Sequence, residues 1–589
     1  MADRANDIEK PVNAERFEAG WGSDVIADML RRFKIDHIAL NPGASYRGLH
    51  DSLVNYLGNH DPAIMVCLHE EHAVAIAHGY AKATGRAMAV AVHSNIGLMH
   101  ATMAIFNAWC DRVPVYILGA TGPMDAVRRR PWIEWMHTAK DQAAMIRQYI
   151  KWDDQPVSVE AAVEAMLRAW QIAHTPPCGP VYLCFDIALQ EDALKAPVIF
   201  PDIARFAPGD APVPSADSIE RAADLLVRAR RPLILAGRVS RDPEDWQRRL
   251  RLAELLDARV VTDLKAGAAF PTNHPLHAGA PGLRLGKAAT DRVRQADVIL
   301  GLDWIDPAGT FQTVLGQVAL GASAAYPTFI DCSVDSALHN GWSMDYFALP
   351  ASDVRLRVEP DVAVKHLLPV VKRRLGSTAR QSDWPAAVAA PRATFKASGK
   401  ISYHAVGDAL TRALGGKPAT LAKLPLSWPG DALHFRGPLD FMGADGGGGI
   451  GGGPGISIGI ALGLKGTGRL PVAILSDGDS LMGLTALWSA RKYDVPLLVL
   501  VANNRSYFND VRHQDQVARH RGRPPENRGV GQRIDDPAPD LAHLAKGFGW
   551  TAEGPIATPG DLDGALARGI AAVERGGCHL IDILIDQGE

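Results

Sequence analysis

Cysteine is scarce in this chain: six residues in 589, at positions 67, 110, 178, 184, 332 and 578, with no CxxC pair and no cysteine–histidine cluster. That scatter excludes a disulfide framework and a cysteine-built metal site, and fits reduced, mostly buried thiols. No apolar run reaches the length that crosses a bilayer, and the first twenty residues are polar and charged, without the apolar stretch of a secretory leader. A cytoplasmic location and no membrane partner are therefore expected. Neither sign of charge dominates, and a formal net charge of −3 gives no general reason to expect nucleic acid as a partner. A Walker-type phosphate loop is also missing. Gly282-Leu283-Arg284-Leu285-Gly286-Lys287 has three residues between its glycines where four are needed, and Ala288 stands where Ser or Thr is required.

What is present is length and alternation. A chain of this size is too long for one core and suggests about three or four domains at roughly 150 residues each. Short β-rich apolar runs alternate with amphipathic stretches throughout, which predicts an α/β protein of three doubly wound parallel-sheet domains. Strands are expected at 37–41, 64–68, 87–93, 113–118 and 181–185, with a helix from about Glu70 to Thr84. A Pro- and Gly-rich stretch after 195 reads as a linker. A second block follows, with strands near 232–236, 259–262, 297–302 and 327–331, and a weakly patterned Pro/Ser/Ala stretch covers about 376–400. The expected domains are 1–195, 205–375 and 400–589.

The third block holds the most specific pattern. An apolar run from Leu470 ends at Ser476-Asp477-Gly478-Asp479-Ser480, and a second, from Pro496, ends at Asn503-Asn504. Residues 481–493 between them read as a crossover helix. A parallel pair joined this way puts both strand ends on one sheet edge, where open α/β sheets bind ligands. A carboxylate and an amide oxygen side by side suit a hard cation such as Mg²⁺, which takes few protein oxygens and completes its shell with water and phosphate. Just upstream, Gly446-Gly447-Gly448-Gly449-Ile450-Gly451-Gly452-Gly453 precedes a helix-like stretch from Ile456, and its amides could wrap an anion. A dinucleotide-binding loop is the rival reading, because GxGxxG spacings occur and Asp477 lies about 20 residues on. It leaves Asp479-Ser480 and the second polar strand end without a use. A Gly-rich surface linker fits poorly beside three strongly apolar elements.

The gap of 27 positions between Asp477 and Asn504 and the Asp-Gly…Asn-Asn wording resemble the cofactor motif of thiamine-diphosphate-dependent enzymes. A second feature agrees. Leu68-His69-Glu70-Glu71-His72, running on to Gly79-Tyr80-Ala81, resembles the glutamate segment of the acetolactate synthase, pyruvate decarboxylase and benzoylformate decarboxylase superfamily. Asn41-Pro42-Gly43, Gly179-Pro180-Val181 and Phe270-Pro271-Thr272-Asn273-His274-Pro275 extend the likeness over essentially the whole chain. The resemblance implies a pyrimidine-binding, a central and a diphosphate-binding domain, and active sites shared between subunits of a homodimer or homotetramer.

It implies thiamine diphosphate and Mg²⁺ as cofactors, with Asp477, Asn504 and the Ser506 carbonyl on the metal. Gly478, Asp479 and Ser480 would meet the diphosphate, and Asn41, Pro42 and Gly43 would line the cofactor. Glu70 would hydrogen-bond the aminopyrimidine, Ile450 would prop the bent cofactor (Gly449 is one position away from that assignment), and the Gly449 carbonyl would hold the exocyclic amine. Ser476 departs from the glycine usual there.

The substrate class implied is a 2-keto acid, with an aldehyde or second keto acid as a further acceptor if the enzyme is a carboligase. His93 lies 23 residues after Glu70 and is followed by Ser94, as in benzoylformate decarboxylase, where that histidine moves protons. The alternative is a strand-end histidine satisfied by backbone groups. The serine expected directly after Asn41-Pro42-Gly43 is Ala44, with Ser45 one position late. Arg128 to His137, with Trp132 and Trp135, reads either as a carboxylate-and-aromatic pocket wall or as an exposed basic turn leading into a core helix. The Arg-rich stretch after Ser506 reads as a lid or as a solvated excursion. His434, His513 and Tyr507 are further pocket candidates. Competing functions are a 2-hydroxyacyl-CoA lyase or oxalyl-CoA decarboxylase, and a cofactor-binding subunit without turnover.

Overall fold

The three expected sheets are present in the computed structural model, which describes residues 9–12, 18–316, 326–338, 349–376, 380–386 and 399–586. Much of the 376–400 stretch lies outside the described residues. The first sheet contains β1 (His37–Leu40), β2 (Ala63–Val66), β3 (Met88–Val92), β4 (Val115–Thr121), β5 (Trp152–Asp154) and β6 (Val181–Asp186), in the order β2-β1-β3-β4-β6-β5. Its pairings are all parallel. β4 starts two residues later than expected, beyond Pro114, which has no amide to give a ladder.

The second sheet contains β7 (Pro232–Ala236), β8 (Arg259–Thr262), β9 (Val298–Leu302), β10 (Thr328–Cys332) and β11 (Val354–Leu356), in the order β11-β10-β9-β7-β8. Its pairings are parallel too. After β12 (Ala419–Lys423) the chain forms β13 (Leu470–Ser476), β14 (Leu497–Asn503), β15 (Thr551–Ile556) and β16 (Cys578–Leu584), adjacent in the order β13-β14-β16-β15 and parallel throughout. The central strands β3, β4, β13 and β14 are buried on both faces, which is why they read as continuous apolar runs rather than as alternations.

By packing, the chain forms two compact units. The first joins residues 1–209 to 445–557 and 564–585, so it contains the first sheet and β13–β16. The second is built mainly from 210–444. In the first unit the cores on the two faces of β1–β6 are filled by the helices Gly22–Arg32 and Val159–His174 on one side and by Glu70–Thr84 on the other.

That last helix opens with His69 as N-cap, whose ring accepts the Glu71 amide, and closes on Gly85 in the left-handed region. Its alanines and Gly79 bring it against the helix Gly453–Gly463 so closely that a Cβ on Gly79 would collide with the Ile456 carbonyl, and one on Gly459 with the Ile76 carbonyl. On its other flank Lys82, 3% exposed, donates to Asp111 at 2.5 Å, and His78 Nε2 lies 2.8 Å from the same carboxylate. This holds it to the helix Ser94–Cys110. Burial is the largest single influence on the Asp111 carboxyl and raises it, but the Lys82 ammonium and the His78 hydrogen bond outweigh it and hold the group well below the usual range.

The helix pair has a direct test. Gly79→Ala must separate two backbones in contact, an overpacking that costs about 1–3 kcal/mol. Differential scanning should show a lowered melting temperature, whereas Gly547→Ala, which meets nothing within 4 Å, should leave it unchanged.

Candidate active site

In the first sheet β1 has β2 on one side and β3 on the other, so the chain leaves β1 and β3 in opposite directions and opens a crevice at their carboxyl ends. Asn41-Pro42-Gly43 leaves β1 there and His93 leaves β3. The Asn41 amide donates to the Cys67 carbonyl at 2.9 Å, and the Tyr46 hydroxyl donates to the Asn41 carbonyl. Gly43 lies under the His93 ring, where a Cβ would overlap it.

Ser45, one position late by sequence, sits against that ring. Its backbone N–H points to His93 Nδ1 at 3.3 Å, and its hydroxyl lies 2.9 Å from the same atom. The Ser45 oxygen in turn accepts the Ser94 N–H at 3.2 Å. Nδ1 is therefore an acceptor, and the neutral ring carries its proton on Nε2. Burial pushes the His93 imidazole below its usual range, with His137 and Arg130 acting the same way and Glu70 opposing.

Glu70 is 6% exposed and opens its helix. Its Oε2 accepts from His100 Nδ1 at 2.9 Å, and its Oε1 occupies space that a Cβ on Gly97 would approach to 3.0 Å. The His69 ring stacks on His100 with centroids 4.8 Å apart. Glu71 faces the other way, towards Asp479. Burial and that second carboxylate both raise its pKa. Neither His100 nor the Ser45–His93 bond emerged from strand-end reading. The signal was a helical one, since His100 lies seven residues, about two turns, after His93.

The second half of the site is at β13 and β14. Ser476 pairs with Ala502, so Asp477 and Asn504 leave neighbouring strands on the same edge. The Ser506 N–H donates to both Asp477 Oδ2, at 3.1 Å, and Asn504 Oδ1, at 2.9 Å, and the Ser506 hydroxyl donates to Asn504 Oδ1 at 2.8 Å. Two hard oxygens thus converge on one amide. Burial pushes the Asp477 carboxyl up, and the Gly478 and Ser506 amides oppose it. A cation at this point would remove that cost.

Ser476 caps the short helix Asp477–Met482 by accepting the Asp479 amide. The crossover is two helices rather than one. Asp477–Met482 ends and Ala486–Lys492 begins around Thr485, whose hydroxyl is 2.7 Å from His72 Nε2.

Asp479 clamps the glycine tract: its Oδ1 accepts the Gly451 amide at 2.7 Å and the Gly453 amide at 3.2 Å. Gly447 donates to Asn107 Oδ1 at 3.0 Å, and Gly449 lies against Met103, so the tract is laced to the helix whose first turns carry His100. Ile450 is half-buried in the tract. The Ser480 hydroxyl is buried and meets no partner among the described residues. Converging hard oxygens beside an orphaned hydroxyl and a short helix N-terminus fit a divalent ion carrying a diphosphate.

Other candidates fall differently. Tyr507 packs on Gly478. His513 is on the exposed side of the helix Phe508–His520, into which the first part of the Arg-rich stretch folds with Val511 and Ala518 inward. His434 belongs to the second unit, where it lines a cavity with Leu410, Leu433 and Phe435. The Arg128–His137 segment is the exposed basic turn, but it leads into a four-residue helix rather than a core helix. Arg130 donates to Glu134 at 2.6 Å, and Trp132 and Trp135 are 71% and 76% exposed. Glu134 turns inward to accept from Thr138 at 2.8 Å, and His137 places its ring 5.0 Å from His93. No described helix is long and apolar enough to cross a membrane.

Sequence models of thiamine pyrophosphate enzymes match the chain in three places: the N-terminal cofactor-binding domain at 20–145, the central domain at 219–305 and the C-terminal cofactor-binding domain at 426–583. A benzoylformate decarboxylase of Pseudomonas aeruginosa is 26% identical over 564 residues, 92% of this chain and 96% of that protein. An acetolactate synthase large subunit of Haemophilus influenzae is 23% identical over 577 residues, 96% of this chain and 95% of that protein. The crystal structure of a benzoylformate decarboxylase from Polynucleobacter necessarius superposes with a TM-score of 0.80 at 19% identity, covering 97% and 100% of the two chains. The chain belongs to the thiamine-diphosphate-dependent enzyme superfamily. Within it, this is an enzyme of the group that breaks and makes carbon–carbon bonds in 2-keto acid decarboxylation and carboligation.

One buried acid beside the site makes a pH test. Asp582, on β16, accepts from Asn503 Nδ2 at 2.9 Å, yet burial pushes its carboxyl up to about 6. The folded state then binds this proton more tightly than the unfolded chain. The stability it contributes is complete below about pH 4 and is lost as pH rises to about 6. Asp582→Asn should therefore melt higher than wild type at pH 7.5, by on the order of 1–3 kcal/mol, with the gain shrinking towards pH 4. An equal offset at both pH values contradicts this assignment.

Proposed function

We propose that this chain is a Mg²⁺- and thiamine-diphosphate-dependent 2-keto acid decarboxylase. In it residues 1–195 receive the pyrimidine end of the cofactor, 400–589 hold its diphosphate, and 205–375 form the central domain. The observation that carries the reading is the convergence of Asp477 and Asn504 on the Ser506 amide at adjacent strand ends. Asp477, Asn504 and Ser506 would hold the ion, and Gly478, Asp479 and Ser480 would border the phosphates. Within that turn Ser480 brings the donor, and Asp479 acts through the glycine tract it clamps. Gly449 and Ile450, fixed by that clamp, would lie along the middle of the cofactor. A homodimer or homotetramer with sites shared between subunits goes with this reading.

When bound, thiamine diphosphate supplies an electron sink beside the carbonyl carbon of a 2-keto acid, which lets the bond to the carboxylate break. The chain's own groups orient the reaction and move its protons. Glu70 is buried, with one oxygen held by His100, and is shaped to share a proton with a ring nitrogen. Asn41 is fixed by Cys67 and holds the turn in which Gly43 leaves room for His93. His93 presents a protonated Nε2, because Ser45 occupies Nδ1, and can pass that proton to a product carbon or oxygen as Nδ1 takes one from the Ser45 hydroxyl, which solvent then reprotonates. The exclusion of a non-catalytic subunit rests on the presence together of Glu70, His93 and the oxygen pair.

Calorimetry should find thiamine diphosphate binding that requires Mg²⁺ and is lost in Asp477→Ala. Carbon dioxide release should then be scored across 2-keto acids and acyl-CoAs, with and without an aldehyde acceptor. Absence of cofactor binding in excess Mg²⁺ ends the proposal, and turnover confined to acyl-CoAs replaces it with a CoA lyase. Glu70→Gln should bind cofactor yet lose most turnover. His93→Ala should lower kcat by on the order of 10²–10⁴, with cofactor affinity retained.

A further inference from the structure

We propose that His100 is a positioning residue for Glu70: it fixes the rotamer of the buried carboxyl and connects it to water. The inference rests on the reading of Glu70 as the acid that meets the cofactor ring. The carboxyl has two oxygens in different settings. Oε2 takes the His100 Nδ1–H at 2.9 Å, whereas Oε1 lies in the space left by the missing side chain of Gly97. A carboxyl held at one oxygen keeps the other on a fixed line. A carboxyl free to rotate would spend part of its time misaligned, and small misplacements of a reacting group are costly.

His100 is itself held. His69 stacks on it at 4.8 Å, and the His69 ring is fixed because its Nδ1 accepts the Glu71 amide at 3.2 Å. His69, Glu70 and His100 each bring a side-chain nitrogen or oxygen within 4.8 Å of the other two.

Exposure supplies the second half of the argument. In the single chain the side chain of Glu70 is 8% exposed and that of His100 is 48% exposed, so the imidazole spans from the buried acid to the open side of the site, where water enters. A proton taken up at Nε2 from water as the Nδ1 proton passes to Oε2 converts carboxylate to carboxylic acid and leaves His100 neutral, in its other tautomer. No oxidant or co-reactant is needed. The charged and titratable neighbours are His69, Glu71 and His72 on the same helix as Glu70, Tyr46 and His93 from the β1 and β3 ends, and Asp479 beyond Glu71. Burial pushes both the His69 and the His72 imidazole below the usual range, so the relay runs beside uncharged rings.

Two substitutions separate the parts. His100→Asn keeps an amide donor but no relay, and His100→Leu removes both. Expected for His100→Leu are a fall in kcat of at least tenfold, a KM within twofold of wild type, a displaced acid limb of the pH–rate profile, and slowed deuterium exchange at the thiazolium carbon of bound cofactor. His100→Asn should recover most of the exchange rate near neutrality while keeping the displaced limb. In cofactor-free protein with labelled histidine, a downfield Nδ1 proton resonance should vanish in both variants and shift in Glu70→Gln.

Wild-type exchange, pH profile and resonance pattern in His100→Asn overturn the proposal, whether or not His100→Leu folds. If Glu70→Gln is impaired while His100→Asn behaves as wild type, only the role of His100 fails. If Glu70→Gln turns over normally, the reading of Glu70 fails and the proposal with it.

Discussion

The contact between the helices Glu70–Thr84 and Gly453–Gly463 is the constraint on which the first unit depends. Gly79 and Gly459 let each backbone meet the other's carbonyls, and the helices pack at a spacing no larger residue permits. One helix opens with Glu70 and the other emerges from the glycine tract. The same contact therefore sets the acid and the tract in one rigid frame. The helix Ser94–Cys110 completes it, bound to Lys82 and His78 through Asp111 and to the tract through Asn107 and Met103. Van der Waals contact does the holding, and the buried carboxylate–lysine–histidine cluster fixes the register.

Charge is distributed so that each half of the site is incomplete alone. Asp477 is buried with its carboxyl pushed up, a state that a bound cation relieves. Asp479 is spent on the Gly451 and Gly453 amides, so it shapes the tract without offering a free carboxylate to an anionic ligand. Around His93 the hydrogen bonds run one way, from Ser94 to Ser45 to Nδ1, which leaves a single tautomer. Preorganisation of this kind orients donors before a substrate arrives.

Much of this was legible in the sequence, for physical reasons. Parallel strands buried on both faces announce themselves as apolar runs, and their carboxyl ends carry the polar residues, so Asp477, Asn504, Glu70 and His93 could be found by reading strand ends. The helix Glu70–Thr84 has the bounds expected of it, between His69 as N-cap and Gly85. What escaped lies on helices or depends on side-chain direction. His100 is one of twenty histidines and sits on a mostly apolar helix, and only the fold turns it towards Glu70. The grip of Asp479 on the Gly451 and Gly453 amides escaped too, because pattern cannot say which amides a carboxylate will take. The helix within the Arg-rich stretch after Ser506 went unread because it is steadied by ion pairs such as Asp515–Arg519 and by only two buried residues, too few for a clear periodic signal.

The first unit is assembled from both flanks of the chain, with residues 210–444 between them. On a ribosome adding about 5–20 residues per second, roughly 20–80 s separates the emergence of Gly79 from that of Gly459. Throughout that interval the alanine-lined flank of the earlier helix has no mate. Newborn chains of this protein accordingly carry a sticky stripe that cannot be covered in cis until late in translation, and shielding by a holdase or slow local codon usage would bear directly on yield.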